Sequence, residues 1–317
     1  MKFPPLDFSQ VKTYPLAQRS STVATALFGQ PWQPGGTLQG FLRSLPRALA
    51  AGDLQEIVKR IAAAVRAGRP VILGMGAHAL KVGLSPLIID LLERGILSAV
   101  ALNGAGIIHD FELAYQGATS EDVAATLGDG SFGMARETGE FLNGAIRLQV
   151  TQRGVGIGRA VGEQIRTAKL PYERLSVLAT CARLDIPACV HVAIGTDIIH
   201  MHPDVDGAAL GEGSLRDFHL LTTVVAQLEG GVFINLGSAV IIPEVFLKAL
   251  SLARNLGHAV NAFTTVDLDF IRHYRPAVNV VTRPTQNGGR GFHLTGHHEI
   301  LFPLICAAVL EELAIET

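Results

Sequence analysis

Glycine, asparagine, threonine and aspartate recur in this sequence where apolar runs stop, and such stops let a backbone approach a ligand closely. Gly74–Met75–Gly76–Ala77–His78–Ala79 follows the apolar run Val71–Ile72–Leu73 and fits the pattern G-x-G-x-x-[GA]. Between a strand and a helix, that pattern brings the main chain against a pyrophosphate and aims free N–H groups at it. Four further stops have a similar make-up: Asn103–Gly104–Ala105–Gly106, Gly195–Thr196–Asp197, Leu236–Gly237–Ser238 and Thr282–Arg283. Together they would floor a site for a polar, extended ligand, with glycine wherever no Cβ fits. The acid that usually ends the second strand of a dinucleotide fold is replaced here by Asn103–Gly104.

Eleven histidines offer proton transfer, since imidazole changes charge near neutral pH. His109 follows the second glycine turn, and His297–His298–Glu299 directly precede the closing apolar segment. His200–Met201–His202–Pro203–Asp204–Val205–Asp206 can also be written as a metal site, because imidazole and carboxylate suit zinc or manganese. No HExxH or CxxC supports it, and solvated loop histidines account for it as well. A second glycine cluster, Gly154–Val155–Gly156–Ile157–Gly158, matches the fingerprint poorly and reads as structural. Ser131 lacks the glycine two places before it that a nucleophile elbow needs, so a serine hydrolase is set aside.

The elements that must position these residues alternate. A capping box at Asp53–Leu54–Gln55–Glu56 predicts a helix through Leu54, Ile57, Val58, Ile61 and Val65, stopped by Gly68. The run from Val71 predicts a strand, and Leu80, Leu84, Leu87, Ile88, Leu91 and Leu92 predict a helix to Gly95. Ala99 to Leu102 predicts the next strand. That is a βαβ unit, which dictates a parallel sheet covered on both faces. After an irregular middle (Gly117 to Lys169), a helix through Leu175, Leu178 and Leu184 leads to a strand at Ala188 to Ala193. Ser214 caps a helix through Phe218, Leu221 and Val225. Further strands are predicted at Val232 to Leu236, Ala259 to Val266 and Ala277 to Thr282, and Ile300 to Val309 reads as a buried helix. The fold class is therefore a doubly wound, mainly parallel six-stranded α/β sheet, Rossmann-like, over residues 51–317. Residues 1–50, rich in Pro, Gly, Ser and Thr, form an irregular arm that could pack on a neighbouring subunit. In such a sheet, ligands sit beyond the carboxyl ends of the strands.

Composition narrows the partners. The chain has 317 residues, 48% of them hydrophobic and 17% charged, with a net charge of −2 and no block of like charges. Nucleic acid is not expected without a basic face. No run of about 18 apolar residues predicts a membrane span. Three cysteines without a CxxC spacing, and no apolar leader in Met1 to Gln30, predict a cytoplasmic protein.

At its strand ends the sequence resembles the deoxyhypusine synthase family from about Asp53 onward. Gly74 to Gly83 resembles the family's first nucleotide-binding turn and helix. Asn103–Gly104–Ala105–Gly106–Ile107–Ile108–His109–Asp110 resembles its Ala-Gly-Gly turn with following acids. Ile194–Gly195–Thr196–Asp197 resembles its Thr-Asp pair, Leu236–Gly237–Ser238 its later glycine turn, and Ile300–Leu301–Phe302–Pro303–Leu304 its closing helix. The resemblance implies NAD held between subunits of a homotetramer, and transfer of an aminobutyl group through an imine on a lysine. It implies cofactor contacts at Gly74, Gly76, Ala77, His78, Asn103, Gly104, Ala105, Gly106, Gly237 and Thr282.

This chain departs from that pattern. Its six lysines end at Lys248, so the lysine that precedes the closing helix in the family is missing. No other side chain forms an imine directly. Of the family's acids after the second turn only Asp110 remains, and a cationic amine without a carboxylate is costly to bury. The expected protein is an NAD-dependent enzyme, a transferase or oxidoreductase, acting on a small amine-type substrate without a lysine imine. His109 or His297 would handle protons and Asp197 would orient the cofactor or substrate. A nucleotide-binding assembly protein without turnover and a metal-dependent hydrolase using His200 and His202 are the alternatives.

Overall fold

The structure, a computed structural model, describes residues 3–315; the first two residues of the expected arm and the last two of the 51–317 region lie outside them. An extended stretch with three single 3-10 turns leads to α1 (Leu38–Ser44) and α2 (Leu49–Arg66). Then follow β1 (Val71–Met75), α3 (His78–Lys81), α4 (Ser85–Glu93), β2 (Ala99–Asn103) and α5 (Gly104–Gln116). The middle of the chain holds α6 (Val123–Thr126), α7 (Arg136–Arg153), α8 (Ile157–Ala168) and α9 (Val177–Leu184). After it come β3 (Ala188–His191), α10 (Gly207–Val225), β4 (Val232–Leu236), α11 (Ile241–Asn255) and β5 (Thr264–Asp269). A single turn α12 (Tyr274–Pro276), a π-helix over Ala277–Thr282, β6 (Arg290–Thr295) and α13 (His298–Leu313) complete it.

The six strands form one sheet in the order β3-β2-β1-β4-β5-β6, and every pair is parallel. The expected doubly wound, Rossmann-like sheet is therefore present. Chain order reverses between β1 and β4, which places the switch point, and the crevice it opens, at the tips of those two strands. One face of the sheet packs Leu73, Val100, Ile234 and Val266 against α2, α4 and α13. The other packs Ile72, Phe233 and Cys189 against α10, α11 and the π-helix, with Phe233 stacked on Phe246 at 3.8 Å.

Strand β5 breaks the expectation for a central parallel strand, which is apolar on both faces. Val266 and Leu268 enter the core, but the alternate residues Thr265, Asp267 and Asp269 are polar and equally buried. In register beside them stand Asn235 of β4 and His293 of β6.

Several elements differ from expectation. Helix α2 starts at Leu49, so Asp53 lies inside it and caps nothing. The helix after β1 is split: α3 is a single turn, and Gly83 (φ +81°) separates it from α4. The expected irregular middle holds two long helices, α7 and α8, the second with Ile157, Ala160, Val161 and Ile165 buried at helical spacing. Asp206, not Ser214, caps α10, accepting the N–H groups of Ala208 and Ala209 at 3.0 Å each. The sixth strand is Arg290–Thr295, and Ala277–Thr282 is the π-helix instead. No helix among the described residues is long and apolar enough to cross a membrane.

Candidate active site at the switch point

The glycine turns after β1 and β4 touch. Gly76 N–H donates to Leu236 O at 3.0 Å, and a Cβ on Gly76 would run into the carbonyl oxygen of Gly237. Gly237 has φ +63°, a conformation glycine adopts without strain, and a Cβ there would collide with the His298 ring. Beside β1, the turn after β2 is no loop at all. Asn103 ends the strand and caps α5 directly, its side chain accepting Gly106 N–H at 3.2 Å. Because α3 is one turn long, the 13-residue α5 supplies the stronger N-terminal dipole of the two. Gly104, its first residue, leaves the space that the Asp197 carboxylate fills from the loop after β3.

Asp197 thus stands next to the place where the second strand usually carries an acid. Its Oδ2 is buried without a hydrogen-bond partner, and burial raises its carboxyl pKa against the pull of His200 and Thr196. His200 accepts the N–H groups of Gly195 (3.1 Å) and Asp197 (3.3 Å) on Nδ1 and turns Nε2 toward Asp197 at 3.9 Å. His202 lies against Gly139 and pairs with Gly133 O at 2.9 Å. The two histidines therefore serve different partners and do not converge as a metal site would require.

On the far side of the crevice, β5 and β6 carry a cluster that sequence reasoning passed over. Asn235 donates to Asp267 Oδ1 at 2.7 Å, and His293 Nδ1 lies 2.8 Å from Asp267 Oδ2 without hydrogen-bond alignment. One pleat nearer the tip, Asp269 Oδ1 accepts Phe270 N–H at 2.8 Å. His298 and His273 flank that carboxylate at 3.6 and 3.8 Å. Burial alone would raise the Asp269 pKa, but His298, the Phe270 N–H and the charge of His273 hold it below the usual value. His78, Phe270 and His298 form a wall of mutually tilted rings with centroids 5.3 to 5.8 Å apart. Burial, and then His298, push His78 below its ordinary pKa. The signal was available: a buried strand reading Thr-Thr-Val-Asp-Leu-Asp puts polar side chains on every second position. His191, at the tip of β3, was also missed; its Nε2 is buried and unpartnered, and burial lowers its pKa to about 4.

The residues expected from sequence divide accordingly. Gly76, Ala77, His78, Asn103, Gly104, Ala105, Asp197 and Gly237 gather at the switch-point crevice. Gly74 lies inside β1, where Ile242 and Phe233 occupy the space a side chain would need, and Gly106 is a glycine because Leu102 packs on it. Thr282 closes the π-helix, exposed, with Val281 O against Gly291 near the start of β6, so it stands away from the strand tips. His109 bonds Thr119 Oγ1 at 2.7 Å, and burial with nearby Lys81 lowers its pKa to about 4. It is neutral at pH 7 and occupied. His297 is mostly exposed and stacks on Phe270; its neighbour His298 is the one turned inward. Asp110 is spent on structure: it accepts Ser176 Oγ and the N–H groups of Val177 and Leu178, capping α9. The second glycine cluster is structural too, with Gly156 and Gly158 fitted against Asp217 and Ala188 O at the start of β3. A cavity of about 560 Å³ among α1, α2 and the end of α13 is remote from these tips and gathers none of these groups.

No protein-family model matches the sequence, and no curated protein matches it. Solved structures do match the fold. A proposed LOR/SDH protein from Methanococcus maripaludis S2 aligns at TM-score 0.55 and 14% identity, over 93% of this chain and 75% of that one. A proposed deoxyhypusine synthase from Entamoeba histolytica aligns at 0.52 and 12%, over 89% and 96%. AgrE, in a ternary complex with ornithine and NAD+, aligns at 0.52 and 15%, over 82% of this chain and 33% of AgrE. The chain thus spans about a third of AgrE's length. These likenesses are of fold.

Proposed function

We propose that this chain is an NAD-dependent enzyme acting on a small amine-bearing substrate without a lysine imine. The observation that carries the reading is the contact of the two glycine turns at the switch point, backbone on backbone, with no room for a side chain. The residues present fit the cofactor. The α5 N-terminus suits phosphate, Asp197 Oδ2 is an unpartnered acceptor suited to a ribose hydroxyl, and the Gly76 and Gly237 turns, packed backbone on backbone, keep the switch point free of side chains of their own. When bound, NAD supplies a hydride acceptor. The protein's own groups would do the rest. Asp267 and Asp269, with Phe270, favour a cationic amine near the tip of β5, the carboxylates that Asp110 does not provide.

The neighbour AgrE is described with ornithine and NAD+, which makes ornithine the first amine to offer, and the deoxyhypusine synthase resemblance, whose members oxidise spermidine, adds spermidine. Calorimetric titration with NAD+ tests the reading; no heat and no thermal shift at millimolar cofactor would end it. NADH absorbance on adding an amine separates turnover from binding alone.

A nucleotide-binding assembly protein is the second reading. It is favoured by the arm, where Phe3, Leu6, Phe8, Tyr14 and Leu16 are all more than 60% exposed. That much uncovered apolar surface calls for a partner, and a homo-oligomer would cover it under either reading.

A further inference from the structure

We propose that His298, positioned by Asp269, is the residue that exchanges a proton with the ligand in the crevice. The inference rests on the NAD reading above and names the proton carrier for it. Neither His109 nor His297, the histidines singled out by sequence, is placed for that task.

His298 is the first residue of α13, yet only 1% exposed. Three neighbours fix its ring. His78 lies at 5.3 Å and 62°, Phe270 at 5.6 Å and 58°, and the Gly237 turn presses on the ring edge. Of its two nitrogens, Nε2 faces Asp269 Oδ1 at 3.6 Å, too long for a formed hydrogen bond but within reach of tightening when a ligand binds. Nδ1 is buried with no partner at all, on a ring held against the switch-point glycine. A buried imidazole with one nitrogen facing a carboxylate and the other unpartnered beside the switch-point glycine turn has the arrangement of a base held ready for a ligand at the strand tips.

The charged groups around it come from every side. His78 and Lys81 lie on α3, Asp269 on β5, His273 beyond it, His297 just before α13 and Glu299 on α13 itself. Asp267 with His293 lies one pleat deeper. Asp269 is the carboxylate in closest contact.

The proton step balances within the protein and ligand. An N–H bond of the ligand's ammonium breaks and leaves its electron pair on nitrogen. A new N–H bond forms at His298 Nδ1 while Nε2 keeps its proton, and Asp269 offsets the positive charge. The freed amine is then competent for oxidation at its carbon, and the reverse transfer returns the proton.

The test uses the full chain and two cofactor forms. The oxidised nicotinamide carries a positive charge and the reduced one does not. Near His298, NAD+ should therefore expel part of a proton that NADH leaves in place. Calorimetry at pH 6.5 in PIPES and in imidazole, which both buffer there and whose ionisation heats differ, counts the protons released. The expected difference is a measurable fraction of a proton per site, with more released on binding NAD+ than NADH. It should vanish in His298→Gln, which still binds both cofactors, and shrink in Asp269→Asn. Equal counts for NAD+ and NADH in the unaltered protein would overturn the proposal. So would a difference that survives His298→Gln or is lost in His297→Ala. Absence of any cofactor heat would instead reject the NAD reading itself. If L-ornithine or spermidine is oxidised, His298→Gln should also lower kcat by roughly 10²- to 10⁴-fold with little change in NAD+ affinity.

Discussion

Gly76→Ala is the sharpest perturbation of the crevice. A methyl there would meet the carbonyl oxygen and carbon of Gly237, which are main-chain atoms that cannot swing aside as a side chain would. The tips of β1 and β4 would have to part by roughly 1 Å to restore ordinary contact. Such overpacking costs about 1–3 kcal/mol, and weakening the Gly76 N–H to Leu236 O bond adds about 1 kcal/mol. A total of about 2–4 kcal/mol should lower Tm by about 5 °C or more. Because the same movement shifts the turn proposed to hold the cofactor, NAD+ should bind at least about tenfold more weakly. Gly83→Ala is the matched control: Gly83 has φ +81° and nothing within 4 Å of a new Cβ. It carries conformational strain of about 1–2 kcal/mol with no clash. Its Tm should fall while its NAD+ affinity stays. Calorimetry and thermal denaturation on both variants decide the matter. A folded Gly76→Ala protein that binds NAD+ as tightly as the unaltered chain would refute the claim that this turn cradles the cofactor.

Other predictions follow from buried carboxylates. Asp217 accepts the N–H groups of Gly158 and Val190 at 2.9 Å each, yet burial outweighs those bonds and raises its pKa to about 7. The folded state then binds a proton more tightly than the unfolded chain, so this group's contribution to stability is full below pH 3.8 and is lost as pH rises toward 7. Asp217→Asn should flatten the fall in Tm between pH 5 and pH 8; identical pH profiles would contradict this. Asp110→Ala removes the acceptor that caps α9 and leaves Val177 and Leu178 N–H groups unpaired, at a cost of about 2–4 kcal/mol measurable by urea unfolding. Asp197→Asn should weaken NAD+ binding about five- to tenfold while leaving Tm within a few degrees, because its Oδ2 bonds nothing in the protein alone; unchanged affinity would remove Asp197 from the cofactor site.

The parallel sheet was legible because β1, β2 and β4 are short runs, apolar apart from Asn103 at the end of β2 and Asn235 within β4, and each stops at glycine or asparagine. What escaped were elements whose local character points the wrong way. Ala277–Thr282 is rich in β-branched residues and reads as a strand, but Pro276 starts it in helical conformation. Thr282 and Thr285 then bond main-chain carbonyls five and four residues back, respectively. The true edge strand, Arg290–Thr295, alternates polar and apolar and follows a run of glycines, so it looks like a loop. In the site, the glycine turns were found because their type announces them. The Asp197–Gly104 contact joins residues far apart in sequence and could not be seen from either. His298 was hidden differently. It and His297 are adjacent and identical in type, and only the start of α13 decides which one turns inward.

The π-helix at Ala277–Thr282 has a consequence for how the chain tolerates change in length. A π-turn holds one residue more than an α-turn and is typical of single-residue insertions. Trimming one position there would let the segment wind as an ordinary α-turn. The chain could lose a residue at that point while β5, β6 and the groups at their tips keep their alignment, whereas the same loss within either strand would flip every later side chain to the opposite face.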